Sequence, residues 1–501
     1  MVFTSLQFLL FFPAVVLLYW AFPVRRRWVW LLAASACFYL CWNPKYAVFL
    51  LFSILTTYLA GRLIDWANKL PDRRRLIWKR LTVVGALLCN IGVLFFFKYF
   101  DFALENLNAV LKVFHFAVIQ PKFDVILPLG ISFYTFQAVG YVIDVYRGNA
   151  VSGSDGAAEK NLARYALFVS FFPQVLSGPI GRAGSLLPQL EAEHRFDYEQ
   201  VKSGLLLILW GFFQKLVVAD RIALFVNEVY GHYNNYPGFP LVLATVLYAV
   251  QIYCDFAGYS DIARGAARVM GIELIDNFKR PYFARSVADF WRRWHISLSS
   301  WLRDYVYIPL GGSRCAKWKK YRNVMITFLV SGLWHGASWN YVAWGLLHGF
   351  YQIFGAVTKP IRNRIIQKLH INPEWWLWKC VQILTTFLLV DFAWIFFRAP
   401  GGQVAVGILQ SMIARSNLSV LWNGGLYQMG LSKGNWAVLI LSVAMVLIVS
   451  LLRRKHVLAP ALSQRGVVLR WAFYFAALYA VLILGIYGPG YEASAFIYFQ
   501  Y

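Results

Sequence analysis

Long apolar runs separated by short polar stretches dominate the chain. The first extends from Phe3 to Phe22, and later runs lie at roughly 81–100, 124–146, 202–219, 239–256, 323–334, 339–357, 376–397, 435–452 and 468–487. A helix rises about 1.5 Å per residue, so about 20 apolar residues cross the hydrocarbon core of a bilayer. The pattern therefore predicts an all-α polytopic membrane protein with about ten to thirteen crossings.

Three places depart from this pattern. The dipeptide Asn43-Pro44 divides the stretch after the first run into two apolar arms of about fifteen residues, each short for a bilayer. The segments Phe168–Arg182 and Arg280–Gly312 are too polar or too broken by proline to span. Such backbone survives at membrane depth only inside protein or beside a water-filled cavity, so we expect in-plane or re-entrant helices there. Without a repeat or a soluble domain, residues 1–501 are interpreted as one membrane domain.

Composition supports a membrane protein and excludes other classes. Of the 501 residues, 59% are hydrophobic and 14% are charged, which excludes a water-soluble globule. The net charge of +25 lies between the apolar runs, as the positive-inside rule predicts, and no polar domain offers a surface for nucleic acid. Arg25–Arg27 follow the first run, so we expect the N-terminus to lie outside the cell. The lipid bilayer is the expected partner.

The cysteines do not predict a disulfide framework or a metal site. All six lie without a C-x-x-C pair or a regular spacing, at positions 37, 41, 89, 254, 315 and 380. Cys37 and Cys41 are four residues apart, which would suit a metal or redox pair. We interpret them instead as small thiols buried in a membrane helix.

His335 is the strongest candidate for a catalytic residue. It lies among tryptophans within Ser331–Gly349, and an ionisable residue in an apolar span is costly enough to suggest a function. Burial disfavours the charged imidazolium, so a neutral ring could accept a proton as a general base. The alternative is a buried histidine that only hydrogen-bonds a nearby carbonyl. Gly332 and Gly336 favour the functional reading, because they permit close approach.

Two further histidines have different settings. On a continuous helix His348 would project some 220° away from His335 and lie about 20 Å further along, so we expect it to pack in the core. His295 shares a helix face with Trp291 and Ser299, which predicts an amphipathic helix at the membrane interface. Tryptophan anchors and snorkelling arginines explain that helix without explaining His295 itself.

Arg292, Arg293 and Arg303 could bind the phosphates of a nucleotide-bearing acyl donor, because guanidinium matches phosphate geometry. The positive-inside bias explains the same three residues more simply.

Polar residues inside apolar runs provide further candidates for substrate or donor binding. Asp255 and Asp261 need partners, water or a cavity at that depth. Trp294, Trp334 and Asn340 belong to the same segments as the histidines and are added to the candidates.

At these residues the sequence resembles the membrane-bound O-acyltransferase family, in its bacterial branch of alginate O-acetylases, peptidoglycan O-acetylation transporters and teichoic acid D-alanylation proteins. The matching segments are PLGISFYTFQAVGYVIDVYR (128–147), FFPQVLSGPIGR (171–182), the run 251–265, NFKRPYFARS (277–286), the run 289–312 and LWHGASWN (333–340). Together they are far more specific than any one short motif.

The resemblance implies a function and a site. His335 matches the catalytic histidine of the family, and His295 matches a second functional histidine. A ring of tilted helices would surround a central funnel. A cytoplasmic thioester such as acetyl-CoA, used as substrate rather than bound cofactor, would donate an acyl group, with acetyl expected, to a polysaccharide outside the cell. The implied location is the bacterial inner membrane.

Other implied features concern the acceptor side. The polymer would be an alginate-like exopolysaccharide or peptidoglycan, and the partners an extracytoplasmic SGNH-type acetyltransferase or the secretion machinery. The aromatic tail FIYFQY resembles other members of the branch. We hypothesise that Tyr498, or Tyr501 as second choice, carries the acyl group; the alternative is an aromatic residue at the membrane interface.

Three alternative functions were weighed. A transporter could use the buried histidine and aspartates as a proton relay, but the paired broken helices and repeats of transporters are not visible in the sequence. A structural scaffold would tolerate changes at His335. A cysteine nucleophile at Cys254 or Cys315 lacks an adjacent histidine or acid.

Overall fold

The computed structural model describes residues 1–120, 127–149, 158–453 and 466–487. Regular structure within these ranges is helical, and they contain no β-strand. The prediction of an all-α protein is therefore confirmed.

The helices of the N-terminal half range from 9 to 42 residues in length. They are α1 (Leu6–Ala21), α2 (Arg27–Leu40), α3 (Ala47–Ala67), α4 (Asp72–Val113), α5 (Ile131–Arg147), α6 (Leu162–Ser170), α7 (Ala183–Glu191), α8 (Tyr198–Phe212) and α9 (Asp220–Gly231). A π-helical segment, Phe213–Ala219, joins α8 to α9 without a break.

The C-terminal half contains the short helices of the candidate site. Its helices are α10 (Phe239–Val269), α11 (Val287–Trp291), α12 (Ile296–Leu302), α13 (Lys317–His335), α14 (Trp339–Lys368), α15 (Trp376–Arg398), α16 (Gly402–Ala414), α17 (Lys433–Arg453) and α18 (Val467–Leu484).

Seven helical segments of the described ranges are long and apolar enough to cross a bilayer. They are Pro44–Ala67, Asp72–Val113, Tyr198–Gly231, Phe239–Val269, Trp376–Arg398, Lys433–Leu452 and Val467–Leu484. The shorter helices α1 and α16 are also apolar. Large apolar side chains such as Leu10, Leu88 and Val468 remain exposed on the protein surface, where lipid would cover them. The chain is a polytopic membrane protein.

The two arms around Asn43-Pro44 differ in length, which corrects the expectation that both are short. Helix α2 has only 14 residues, as expected, but α3 has 21, or about 32 Å of helix. Helix α3 continues through Arg62, which forms an ion pair with Asp65 one turn later, and ends at Ala67.

Of the two segments predicted not to span, the first is buried in protein and the second is only partly buried. After α6 ends at Ser170, the chain through Ile180 has no long helix and is buried throughout. Arg280–Gly312 forms the short helices α11 and α12 and a π-helical turn, Arg303–Tyr307. Cys37 and Cys41, by contrast, lie exposed on the protein surface rather than buried, because α2 turns that face outward.

Helices α13 and α14 form a hairpin whose backbones touch. A Cβ added to Gly332 would lie 2.2 Å from the carbonyl oxygen of Tyr341, and one added to Gly345 would lie 2.4 Å from that of Phe328. No side chain fits at either distance. The two glycines therefore fix how closely α14 approaches α13, and with it the surroundings of His335.

Gly345→Ala is expected to destabilise the protein by at least about 1–3 kcal/mol, because the new methyl group would push α14 away from α13. Gly355→Ala is the matched control on the same helix, since a Cβ there meets no atom within 4 Å. The control should be neutral or slightly stabilising. Thermal unfolding of the detergent-solubilised variants checks this, and equal midpoints for both would contradict the close contact.

Candidate active site

His335 is the last residue of α13 and is 3% exposed. The helix ends there because Gly336 takes an extended conformation and Ser338 begins α14, its Oγ accepting the N–H of Asn340 at 3.3 Å. The two apolar runs that flank LWHGASWN thus become two helices that meet at a sharp turn. His335 lies at that turn, inside the protein.

Helix α4 caps the end of α13. The last carbonyl groups of a helix have no partners within the helix. Here Tyr99 donates its O–H to the carbonyl oxygen of Leu333 at 2.7 Å. Lys98 Nζ donates to the carbonyl oxygens of Trp334 at 2.7 Å and His335 at 3.1 Å. These contacts hold the backbone of His335 in place.

Aromatic rings surround the imidazole of His335. The ring centroids of Trp334 and Trp344 are each 5.0 Å from it, and that of Phe397 is 5.2 Å away. All three rings stand nearly perpendicular to the imidazole. The apolar walls restrict the imidazole and exclude water from most of its surface.

The break in the helix corrects the expected separation of His335 and His348. Because α14 folds back along α13, both imidazoles pack against Trp344, with centroid distances of 5.0 Å and 4.9 Å. His348 is fully buried, and its Nδ1 accepts the indole N–H of Trp291 at 3.2 Å. It lies next to the site as part of its aromatic wall.

His295 does not lie on a continuous amphipathic helix, contrary to expectation. It occupies the bend between α11 and α12 with φ of 43° and is fully buried. Asn277 holds this bend: its carbonyl oxygen accepts the N–H of Ile296 at 3.0 Å, and its side-chain oxygen accepts that of Ser297 at 3.2 Å. A left-handed conformation is rare for histidine, so these contacts determine where the ring lies.

Trp334 packs against both histidines. Its ring centroid is 5.0 Å from that of His335 and 5.7 Å from that of His295. Phe256 also packs against His295, at 4.6 Å. The structure therefore brings both predicted histidines to one place, where they contact the same indole.

A cavity of about 60 Å³ adjoins His335. It is bordered by Lys98, Leu127, Pro128, Leu129, Gly130, Ile131, Ser132, Phe133, Leu176, Trp334 and His335. One water molecule needs about 10–15 Å³ of such space, so the cavity has room for a group the size of acetyl. An acyl carbonyl could meet the imidazole here.

Comparison with known proteins places this site in a family. The model of MBOAT, the membrane-bound O-acyltransferase family, matches residues 157–394. The chain is 36% identical to the peptidoglycan O-acetyltransferase of Helicobacter pylori, covering 78% of this chain and 75% of that protein. The chain belongs to the membrane-bound O-acyltransferase family. It is an O-acyltransferase, and the transporter and scaffold hypotheses are set aside.

Two other relatives of this O-acyltransferase carry different names. The chain is 37% identical to the "Probable alginate O-acetylase AlgI" of Pseudomonas aeruginosa, over 83% of this chain and 75% of the relative. It is 30% identical to the teichoic acid D-alanyltransferase of Bacillus subtilis, over 53% of this chain and 65% of that protein. Similarity is thus more extensive to the first two relatives than to the third.

The three candidate arginines do not form one cluster of unpaired cations. Arg293 forms an ion pair with Asp289 at 2.8 Å, and Arg303 forms one with Asp304 at 2.8 Å. Arg292 is exposed, and its Nε donates to the carbonyl oxygen of Ala288 in the preceding turn. Phosphate binding by these residues stays a prediction.

The tryptophan and asparagine candidates from the sequence lie in different parts of the structure. Trp334 borders the cavity, but Trp294 stacks on Phe290 at 5.4 Å within the core. Asn340 donates its amide to the carbonyl oxygen of Ala399 at 2.6 Å, which ties the start of α14 to the end of α15. Tyr498 and Tyr501 lie outside the described residues.

Asp255 and Asp261 have side-chain partners. Lys215 Nζ lies 2.7 Å from Asp255 Oδ1 and 2.8 Å from Asp220 Oδ1, with both Lys215 and Asp255 only 3% exposed. Asp261 pairs with Arg264 at 3.1 Å and accepts the amide of Gln214 at 3.2 Å. These contacts anchor the π-helical segment against α10.

Sequence reasoning missed Lys98, Lys215 and Asn277. Each lysine lies alone in an apolar run, so the rule that selected His335 would have found both. Asn277 lies in a quoted motif, but its role depends on a bend that the pattern does not reveal.

Lys215→Met is expected to lower the free energy of unfolding by about 3–5 kcal/mol, because two buried carboxylates lose their shared ammonium. Asp255→Asn should cost less, since Lys215 keeps Asp220. Lys202→Met on α8 is the control: it removes an ion pair with Glu199 near the surface and should cost about 0.3–0.5 kcal/mol. Unfolding in detergent measures all three, and a loss at Lys215 no larger than that at Lys202 would contradict a buried triad.

Proposed function

We propose that this O-acyltransferase takes an acetyl group from a cytoplasmic thioester, such as acetyl-CoA, and passes it to a polysaccharide hydroxyl outside the cell. The observation that carries the proposal is His335, a buried imidazole beside a cavity of about 60 Å³ that suits an acetyl group. The extensive similarity to a peptidoglycan O-acetyltransferase and an alginate O-acetylase supports acetyl as the group transferred.

His335 acts as the general base. Its imidazole takes the proton of the acceptor hydroxyl while the hydroxyl oxygen attacks the thioester carbonyl carbon. The tetrahedral intermediate then collapses: the C–S bond breaks, and the thiolate takes the proton back from the imidazolium. The products are an ester and a free thiol. The aromatic walls support this role, because a dry, restricted imidazole keeps its orientation through both proton transfers.

His295 contributes through Trp334. Its bend is held by Asn277, so its ring packs against Trp334 and helps to keep this indole against His335. The role is positional, and it explains why a histidine is tolerated in a left-handed bend.

The acceptor side follows from the relatives. We propose an alginate-like exopolysaccharide or peptidoglycan as the final acceptor, reached through an extracytoplasmic SGNH-type acetyltransferase or the secretion machinery. The protein would lie in the bacterial inner membrane with its N-terminus outside, which the basic residues Arg25–Arg27 after the first apolar run support.

His335→Gln is expected to lower polymer-bound acetyl by about 10²–10⁴-fold, because the general base is lost. His348→Gln is the matched control, an equally buried histidine against the same Trp344, and should retain most of the acetyl. Acetate released from cell polymers by mild alkali measures the effect, normalised to the amount of variant in the membrane.

Equal loss in the two variants would indicate a folding defect rather than a lost base. Full acetylation with His335→Gln would remove the proposed function.

A further inference from the structure

Lys98 is the cation that borders the cavity beside His335. It lies in an apolar stretch of α4 that contains no other charged residue between Arg80 and Asp101. An ammonium at this depth is costly unless it has partners or a function. Its contacts with the carbonyl oxygens of Trp334 and His335 explain part of its presence.

These contacts leave Lys98 with a further hydrogen-bond donor. An ammonium has three N–H groups, and the two carbonyl oxygens engage two of them. Because the side chain borders the cavity, the third is available to a group bound there. The Nζ atom also lies 5.9 Å from the ring centroid of Trp334, which holds the side chain beside the indole.

The start of α5 forms another part of the cavity wall. Gly130 has φ of 77°, and a Cβ there would lie 2.3 Å from the carbonyl oxygen of Val175, so only glycine permits this turn. Ile131 and Ser132, the first residues of α5, border the same space. The N-terminal end of a helix carries partial positive charge. Lys98 and this helix end both favour a negative group in the cavity.

Acyl transfer generates such a group. When a hydroxyl attacks a thioester, the new C–O bond forms and the carbonyl π electrons move onto oxygen, which becomes an oxyanion until the C–S bond breaks. His335 holds the hydroxyl proton at that moment and cannot neutralise the oxyanion as well. Donors aimed at developing charge are commonly the largest single contribution to such catalysis.

We propose that Lys98 stabilises the oxyanion of the tetrahedral intermediate formed beside His335. The inference rests on the proposed thioester chemistry and adds a second catalytic residue to it. One lysine then links the parts of the site: two of its donors fix the backbone of the base, and the third binds the oxygen of the acyl group. Collapse of the intermediate restores the C=O bond and releases the thiolate, which leaves Lys98 unchanged.

Lys98→Met tests the proposal in cells whose chromosomal copy is replaced by each variant, with alkali-released polymer acetate as the rate readout. We expect a loss of about 10²–10³-fold, the effect of removing one oxyanion donor. Lys98→Arg, which keeps a charged donor, should lose at most about tenfold of the wild-type rate. Tyr99→Phe is the matched control, because it removes the neighbouring cap on Leu333 without touching the cavity.

The outcomes separate catalysis from capping. If Lys98 has only a structural role, Lys98→Met and Tyr99→Phe should lose similar amounts of polymer acetate and show similar drops in unfolding midpoint. That result overturns the proposal. An Arg variant as inactive as the Met variant also overturns it. If Lys98→Met does not accumulate in the membrane, Lys98→Gln keeps amide donors for the carbonyl groups without the charge. A wild-type rate in a folded Met or Gln variant also overturns it.

The same variants distinguish the role of Lys98 from the proposed function on which it rests. With His335→Gln inactive and Lys98→Met active, the acyl-transfer proposal stands and the role of Lys98 fails. With His335→Gln fully active, the proposed function fails and the role of Lys98 fails with it.

Discussion

A helix that ends inside a membrane protein leaves carbonyl groups that lipid cannot hydrogen-bond, so the protein must supply donors from another element. Helix α13 ends in this way at His335, and α4 supplies the donors through Lys98 and Tyr99. These contacts stabilise the turn that carries the imidazole. Lys98 also borders the cavity beside it.

The same requirement explains other polar groups in the apolar interior. Asn277 satisfies the backbone at the bend that carries His295, and Lys215 bridges two aspartates where the π-helical segment interrupts α8 and α9. π-helical segments occur often at functional positions, since they change the direction of side chains within a helix. Here the segment turns Lys215 inward toward Asp255.

Much of the fold could be predicted from sequence because the thickness of a bilayer fixes the length of an apolar helix. His335 could be predicted as a candidate for a related reason: a titratable side chain among apolar residues is costly enough to suggest a function. The bend at Gly336 and the left-handed His295 could not be found in this way. Their conformations depend on residues distant in sequence, such as Lys98, and local pattern carries no information about such contacts. Helix α3, the second apolar arm, is also longer than the sequence pattern indicated. An arginine such as Arg62 resembles the end of a membrane helix unless its ion-pair partner is recognised.

The glycine contacts between α13 and α14 have a consequence for how this enzyme can diversify. Main-chain atoms, rather than interlocking side chains, set the spacing of the hairpin. Aromatic residues around the imidazole can therefore be exchanged without moving the backbone that carries His335. Descendants of one ancestor could then acquire new acyl or acceptor preferences while the spacing of the two helices is inherited.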